Sequence, residues 1–352
     1  MEAGAVGAPE VVARERPSLR GNRGRLVLAL LLVVVVGWIA YKAVEDLKLF
    51  TVVTVNGLTL AGLYFIVASG FTLIFGLMRV VNMAHGSFFM LGGVFAFLLQ
   101  DRMLGEASSG FGPDEVTVAE WLLPLVVSTV VIAGIGLATQ QILLRWNQGQ
   151  ELRQALITIA LSIIIADQTV ARFGGISKEI SPPSAFPETI NLGLYDIEYG
   201  FMRFITLAVA LVVGVLLFLL IRRTRFGMIV RAGVDDRQMV SALGINIQIV
   251  FALAFLLGAG LAGLAGVLGG TTISVDKGND SAYLLISLIV VIVGGMGSLV
   301  GAAIGAVLLG LVDSYGDVYL PSGYENYSPV LIFALLVIVL AARPLGLFGR
   351  PA

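Results

Sequence analysis

Few residues of this chain could do chemistry, and their types narrow what that chemistry would be. There is one histidine, His85, and there is no cysteine. A metal centre at His85 would have to be completed by carboxylates alone, so no metal is expected. The same composition removes thiolate chemistry and any disulfide framework. His85 reads either as a proton relay or as a hydrogen-bonding residue that pins a turn. Asp167, in Leu161-Ser162-Ile163-Ile164-Ile165-Ala166-Asp167-Gln168, reads as the one acid well inside an apolar span. Acids at that depth are functional suspects, although Arg172, five residues on, could pair with it or draw it to the surface. Paired catalytic groups are lacking, so neither a catalytic residue nor an enzyme activity is expected.

Two short strings break apolar runs: Asn82-Met83-Ala84-His85-Gly86-Ser87 and Gly294-Gly295-Met296-Gly297-Ser298. Irregular backbone at membrane depth is tolerated only when buried in protein or lining water, and transporters place solute at such interrupted segments. Both strings also suit tight cytoplasmic turns between hairpin helices. Asn82, His85, Gly86, Asp167, Gly294, Gly295 and Gly297 are thus the candidate residues of a substrate pathway or its gate. The 43 glycines also form rows, as in Gly258-Ala259-Gly260-Leu261-Ala262-Gly263-Leu264-Ala265-Gly266 and in Gly297, Gly301 and Gly305. Small residues four apart let helix backbones approach closely in lipid. Backbone exposed to a translocation path is the alternative.

The elements that must position these residues follow from composition. The 352 residues are 58% apolar and 13% charged, and mean hydropathy is +0.96. Soluble domains lie near 45–50% and about 25%, so a soluble enzyme, a disordered chain and a nucleic-acid binder are excluded. An all-α integral membrane protein remains, a polytopic helical bundle. Ten candidate segments appear, at 26–41, 51–77, 80–100, 121–144, 154–172, 202–221, 248–270, 283–296, 298–313 and 329–342. Eight spans with 283–313 as a re-entrant pair would keep the same parity. The first segment reads as an uncleaved helix, because no small-residue cleavage pattern precedes Lys42.

Basic residues set the orientation. With residues 1–25 as a cytoplasmic tail, its five arginines fall on one side. They are joined there by Arg79, Arg145, Arg153, five arginines of 222–247, Arg343 and Arg350, or 15 of the 22 basic residues. Both termini are then cytoplasmic, 26–342 is the transmembrane domain, and 343–352 is a second short tail. The opposite loops are acidic and rich in Gly and Pro. The one at 173–200 reads as a partner dock or a solvated cap. The sequence contains no GxxxxGK[ST] loop, so no nucleotide site of that kind is expected.

The 222–247 loop carries its own signals. Asp235 and Gln238 resemble a capping box, and Gly244 suits the residue after a helix end. They enclose about two turns on which Met239, Val240 and Leu243 form an apolar face, wanting a protein partner or lipid headgroups.

Three stretches together resemble the branched-chain amino acid ABC-transporter permease family. They are Asn56 to Gly76 followed by Val81-Asn82-Met83-Ala84-His85-Gly86, the stretch 225–267, and Val293 to Gly301. The Asn-x-Ala-His-Gly form resembles the H-type subunit. The resemblance covers roughly residues 50–345. It implies a permease subunit of an importer in a bacterial inner (plasma) membrane. Its partners would be ABC ATPase subunits, a second permease subunit (homologous or identical) and an extracytoplasmic solute-binding protein. A small-molecule solute would be its cargo, with no nucleic acid and no cofactor. It also implies that Asp235, Asp236, Met239, Val240, Leu243 and Gly244 dock on the ATPase. On this scaffold the solute is a branched-chain or related amino acid, with urea or a short amide as the alternative. A separate reading is an ion-driven secondary transporter using Asp167 or His85.

The charge count makes a direct prediction. Reporter fusions placed after Arg350 and within 181–187 should report opposite sides of the membrane. Signals from the same side would overturn the two-cytoplasmic-termini arrangement.

Overall fold

Runs of Leu, Val, Ile, Ala and Phe with few charges leave the backbone one way to satisfy its polar groups in lipid, which is the helix. The computed structural model describes residues 37–38, 41–78, 81–105, 116–175, 177–191, 193, 196–235, 237–321, 323–324 and 327–349. The tail 1–25, most of the segment expected at 26–41, Arg79, Asp236 and Arg350 lie outside the described residues. Met1–Leu47 and Lys48–Ala352 are two separate compact units. In the first, Lys42 Nζ pairs with Glu45 Oε2 at 2.6 Å.

The second unit is built from helices. They are α1 (Leu47–Met78), α2 (His85–Leu104), α3 (Val118–Ala138), α4 (Glu151–Phe173), α5 (Phe201–Arg223), α6 (Arg225–Asp235), α7 (Arg237–Ala242), α8 (Ile247–Thr272), α9 (Asn279–Gly294), α10 (Leu299–Tyr319) and α11 (Ser328–Ala342). The sequence segments match these helices from 51–77 onward, within a few residues. Seven of the helices are long and apolar enough to cross a membrane; α9 and α11 are apolar but shorter.

Local chemistry fixes several ends. Thr117 and Glu120 form a reciprocal capping box at the start of α3. Asn246 Oδ1 accepts from the Gln248 amide at 3.0 Å, and Ser298 Oγ accepts from the Gly301 amide at 3.0 Å. Past Ala138, α3 continues as a π turn, Thr139–Leu144, and a short 3-10 turn, Arg145–Asn147.

The 173–200 segment is more ordered than an outer loop need be. Thr189–Asn191 (β1) and Glu198–Gly200 (β2) pair antiparallel, Ile190 opposite Tyr199. Lys178 bridges to Val275, and Ile180, Ile197 and Tyr199 are buried. Tyr199 Oη donates to the Val55 carbonyl at 3.2 Å and lies 2.7 Å from Thr59 Oγ1. Burial pushes this phenol up from its ordinary value, so it stays a donor.

The core centres on α8. Its glycine row meets other backbones directly. A Cβ added at Gly70 of α1 would stand 2.5 Å from the Gly258 carbonyl oxygen, and one at Gly258 would stand 2.7 Å from that of Gly70. A Cβ at Gly92 would be 2.6 Å from Gly263 Cα, and one at Gly263 would be 2.8 Å from Ile132 Cβ of α3. Thus α1, α2 and α3 all rest on one face-poor helix. These rows pack helices, as the first of the two sequence readings holds.

Replacement by alanine should separate tight from open glycines. Gly70→Ala and Gly258→Ala should each cost about 1–3 kcal/mol through overpacking. Gly134, whose added Cβ would meet nothing within 4 Å, should hold or gain stability when changed to alanine, by up to about 1 kcal/mol. Thermal unfolding of the purified variants in one detergent checks both signs.

Candidate functional site

The first broken segment is not a loop at the end of α1. His85 opens α2, and its Nε2 lies 2.9 Å from the carbonyl of Val67. Val67 stands eleven residues before Met78, so α2 begins roughly 16 Å back along α1. The link must therefore fold back beside α1, where buried backbone needs partners. Asn82 supplies two of them: its Oδ1 accepts from the Ala84 amide at 3.1 Å and its carbonyl from the His85 amide at 3.2 Å. Thr158 Oγ1 accepts from the Met83 amide at 3.1 Å.

His85 is completely buried, and its ring meets Phe71 edge-on at 5.4 Å. A carbonyl only accepts, so Nε2 carries the proton and Nδ1 is an acceptor. Nδ1 and Asn82 Nδ2 are buried with no hydrogen-bond partner. Gly86 presses on α9, where an added Cβ would overlap the Asp280 carbonyl and stand 2.9 Å from Leu284 Cβ.

The second broken segment is a tight turn between α9 and α10. Gly295 and Gly297 adopt φ of 102° and 81°, which only glycine takes without strain. Gly294 packs on Gly301, and Met296 is exposed. The C-terminal residues close over this turn, with the Leu347 and Phe348 amides donating to Val293 and Gly294 carbonyls at 2.9 Å each. The two segments therefore do not meet. Gly86 lies at one end of α9 and Gly294 at the other, roughly 21 Å apart along the helix.

Asp167 belongs with neither. It lies on the exposed face of α4, and among the described residues it forms no ion pair with Arg172. The acid that does reach the interior is Asp313 on α10, half-buried, accepting from Tyr64 Oη at 2.5 Å and from Ser328 Oγ at 3.4 Å. Tyr64 in turn meets Tyr283 edge-on at 6.2 Å, and Tyr283 stacks on Phe89 at 3.8 Å. A polar and aromatic chain thus joins α10, α1, α9 and α2. The signal was present: Asp313 and Asp317 stand four apart in Leu311-Val312-Asp313-Ser314-Tyr315-Gly316-Asp317. An expected span ending at 313 placed the first acid at the membrane edge.

The 222–247 loop holds two helices rather than one. Asp235 closes α6 instead of opening the next helix; its side chain, Gln238's and all of Asp236 lie outside the described residues. α7 ends at Ala242, and Gly244 follows with φ of 80°. The expected apolar face divides: Val240 is buried, whereas Met239 and Leu243 are 60% and 72% exposed. α6 is anchored by Val230, which packs with Ile74 and Met78 of α1 and with Val250, Phe251 and Phe255 of α8.

Seven helices able to cross a membrane, packed through glycine, define a polytopic helical membrane protein. The family described as the permease component of the branched-chain amino acid transport system matches residues 53–340, and the chain belongs to that family. It is 31% identical over 303 residues to the high-affinity branched-chain amino acid transport system permease protein BraD of Pseudomonas aeruginosa, covering 84% of this chain and 95% of that one. To LivH of Salmonella typhimurium, a permease protein of the same description, it is 30% identical over 301 residues, covering 84% and 94%. To the probable branched-chain amino acid transport permease protein LivH of Methanocaldococcus jannaschii it is 25% identical over 296 residues, covering 82% and 89%. No solved structure matches.

The Tyr64–Asp313 contact is open to a double-mutant cycle. Tyr64→Phe should cost about 1–3 kcal/mol by stripping a donor from a half-buried carboxylate. In the Asp313→Asn background the same change should cost less. Equal costs in both backgrounds would mean that the two side chains are not coupled.

Proposed function

We propose that this chain is the permease subunit of an ATP-driven importer and forms part of the path for branched-chain amino acids. In this reading it lies in a bacterial inner membrane with about ten spans and both termini cytoplasmic. ABC ATPase subunits supply the energy, a second permease completes the path, and an extracytoplasmic binding protein delivers solute. The names of the relatives favour amino acids over urea or short amides.

One observation carries the coupling half of the proposal. Met239 and Leu243 project from α7 while Val240 and Val230 fix α6 and α7 to the chain's own core. A six-residue helix does not persist alone in water, so the pair α6–α7 is held from inside and presents two apolar side chains outward. A groove on an ATPase covers them. Movement of that groove shifts Val230, and through it the end of α1 and the start of α8. Those helices cross at Gly70 and Gly258, so the shift reaches the region where α2 begins. Solute passage then follows a population shift between two arrangements.

Leu243→Asp puts a charge into the proposed groove from a site that is exposed in the chain itself, so folding should be spared. In vesicles containing the whole importer, solute-stimulated ATP hydrolysis and leucine uptake should fall together, about tenfold or more. Gly244→Val should do the same through its positive φ. Unchanged coupled uptake with Leu243→Asp would overturn the docking assignment.

A further inference from the structure

A cavity of about 220 Å³ opens between α1, α5, α10 and the end of α8. Its wall carries one cation, Arg203, and one anion, Asp317. Among the described residues these two charges form no ion pair, with each other or with anything else. Opposite charges that share a cavity without pairing leave room for a molecule that carries both.

Arg203 is held by its neighbours, and Asp317 is placed by the helix it stands on. Arg203 Nη1 donates to Asn56 Oδ1 at 2.7 Å and the guanidinium also hydrogen-bonds the Tyr199 side chain, which braces it and leaves donors over for a further partner. A planar fork of this kind matches a carboxylate with two parallel bonds. On α10, Asp313 is already occupied by Tyr64 and Ser328, so Asp317, one turn on, is the acid left to face the cavity. The rest of the wall includes Leu60, Leu63 and Ile273, a surface for an aliphatic side chain. Few ligand classes need all three features at once.

We infer that this cavity binds an α-amino acid, with Arg203 taking the carboxylate, Asp317 the ammonium, and Leu60, Leu63 and Ile273 the aliphatic side chain. The inference rests on the permease reading above and deepens it by giving the solute a place within this chain. A lipid headgroup with a phosphate and an ammonium shares the same charge pattern, so the test separates the two sources.

The full chain in nanodiscs without phosphatidylethanolamine should bind radiolabelled leucine. Competition should be about tenfold or more weaker for isoamylamine, which lacks the carboxylate, and for isocaproate, which lacks the ammonium. Arg203→Gln should erase the preference over isoamylamine and keep that over isocaproate; Asp317→Asn should do the reverse. Ile273 sits exposed on a turn, so Ile273→Trp should block leucine while thermal unfolding is unchanged, which keeps the test valid if a charge variant fails to fold. Adding phosphatidylethanolamine should not compete. Leucine binding that is absent, that is displaced by this lipid, or that is unaltered in all three variants would overturn the inference. The permease reading fails separately, if the reconstituted wild-type importer takes up no leucine.

Discussion

The contact on which the rest depends is backbone against backbone, where α1 crosses α8 at Gly70 and Gly258. Between helices in lipid there is no hydrophobic force to pull them together, because lipid tails are as apolar as leucine. Dispersion contacts and close approach must hold them, and dispersion falls off within an ångström of the optimum. Glycine at the crossing is what allows that approach. On α8 the row continues through Gly263 to Gly266, which packs on Phe89 of α2, so one helix serves three neighbours. Removing close contact at one crossing would loosen the seats of the other two.

From that crossing α9 follows as a strut. Its first turn takes Gly86 and its last takes Gly301 and the backbone of Leu347 and Phe348. This helix of 16 residues is thereby held at both ends by backbone contacts. It connects the turn at Gly295–Gly297 to the start of α2 through backbone contacts. The stack of Phe89 on Tyr283 keeps the two helices in register along the way. The two broken segments are thus distinct in place and joined by one helix.

The helices from 51–77 onward were legible because long apolar runs have one folded option in lipid. Gly244 was legible because a glycine after an amphipathic turn marks a helix end. Directions around a helix were not. Asp167 lies on a helix that turns polar residues, Gln154, Thr158 and Thr169, toward its neighbours, so an acid in its run does not by itself mark the inward face; Asp167 is exposed, and Asp313 faces inward. The fold-back at Asn82–His85 was not legible either. A string such as Asn-Met-Ala-His-Gly serves a surface turn and a buried link equally, and only the Val67 carbonyl decides. The division of Met239 from Val240 depends on what α6 packs against, and that contact leaves no mark in the sequence of the loop.

A charge inside a low-dielectric bundle is kept only with a partner. Asp313 obeys it through Tyr64 and Ser328. Arg203 is exposed and needs no such partner; Asn56 accepts one of its donors without cancelling the charge. Asp317, exposed on the same helix as Asp313, is spared the need by its contact with the cavity. A direct Arg203–Asp317 pair would close the cavity and leave nothing for a solute to replace. An amide brace on the cation holds the field open instead. On the inference above, the site stays charged until something with both signs arrives, and because Arg203 and Asp317 are both exposed, pairing them would add little stability.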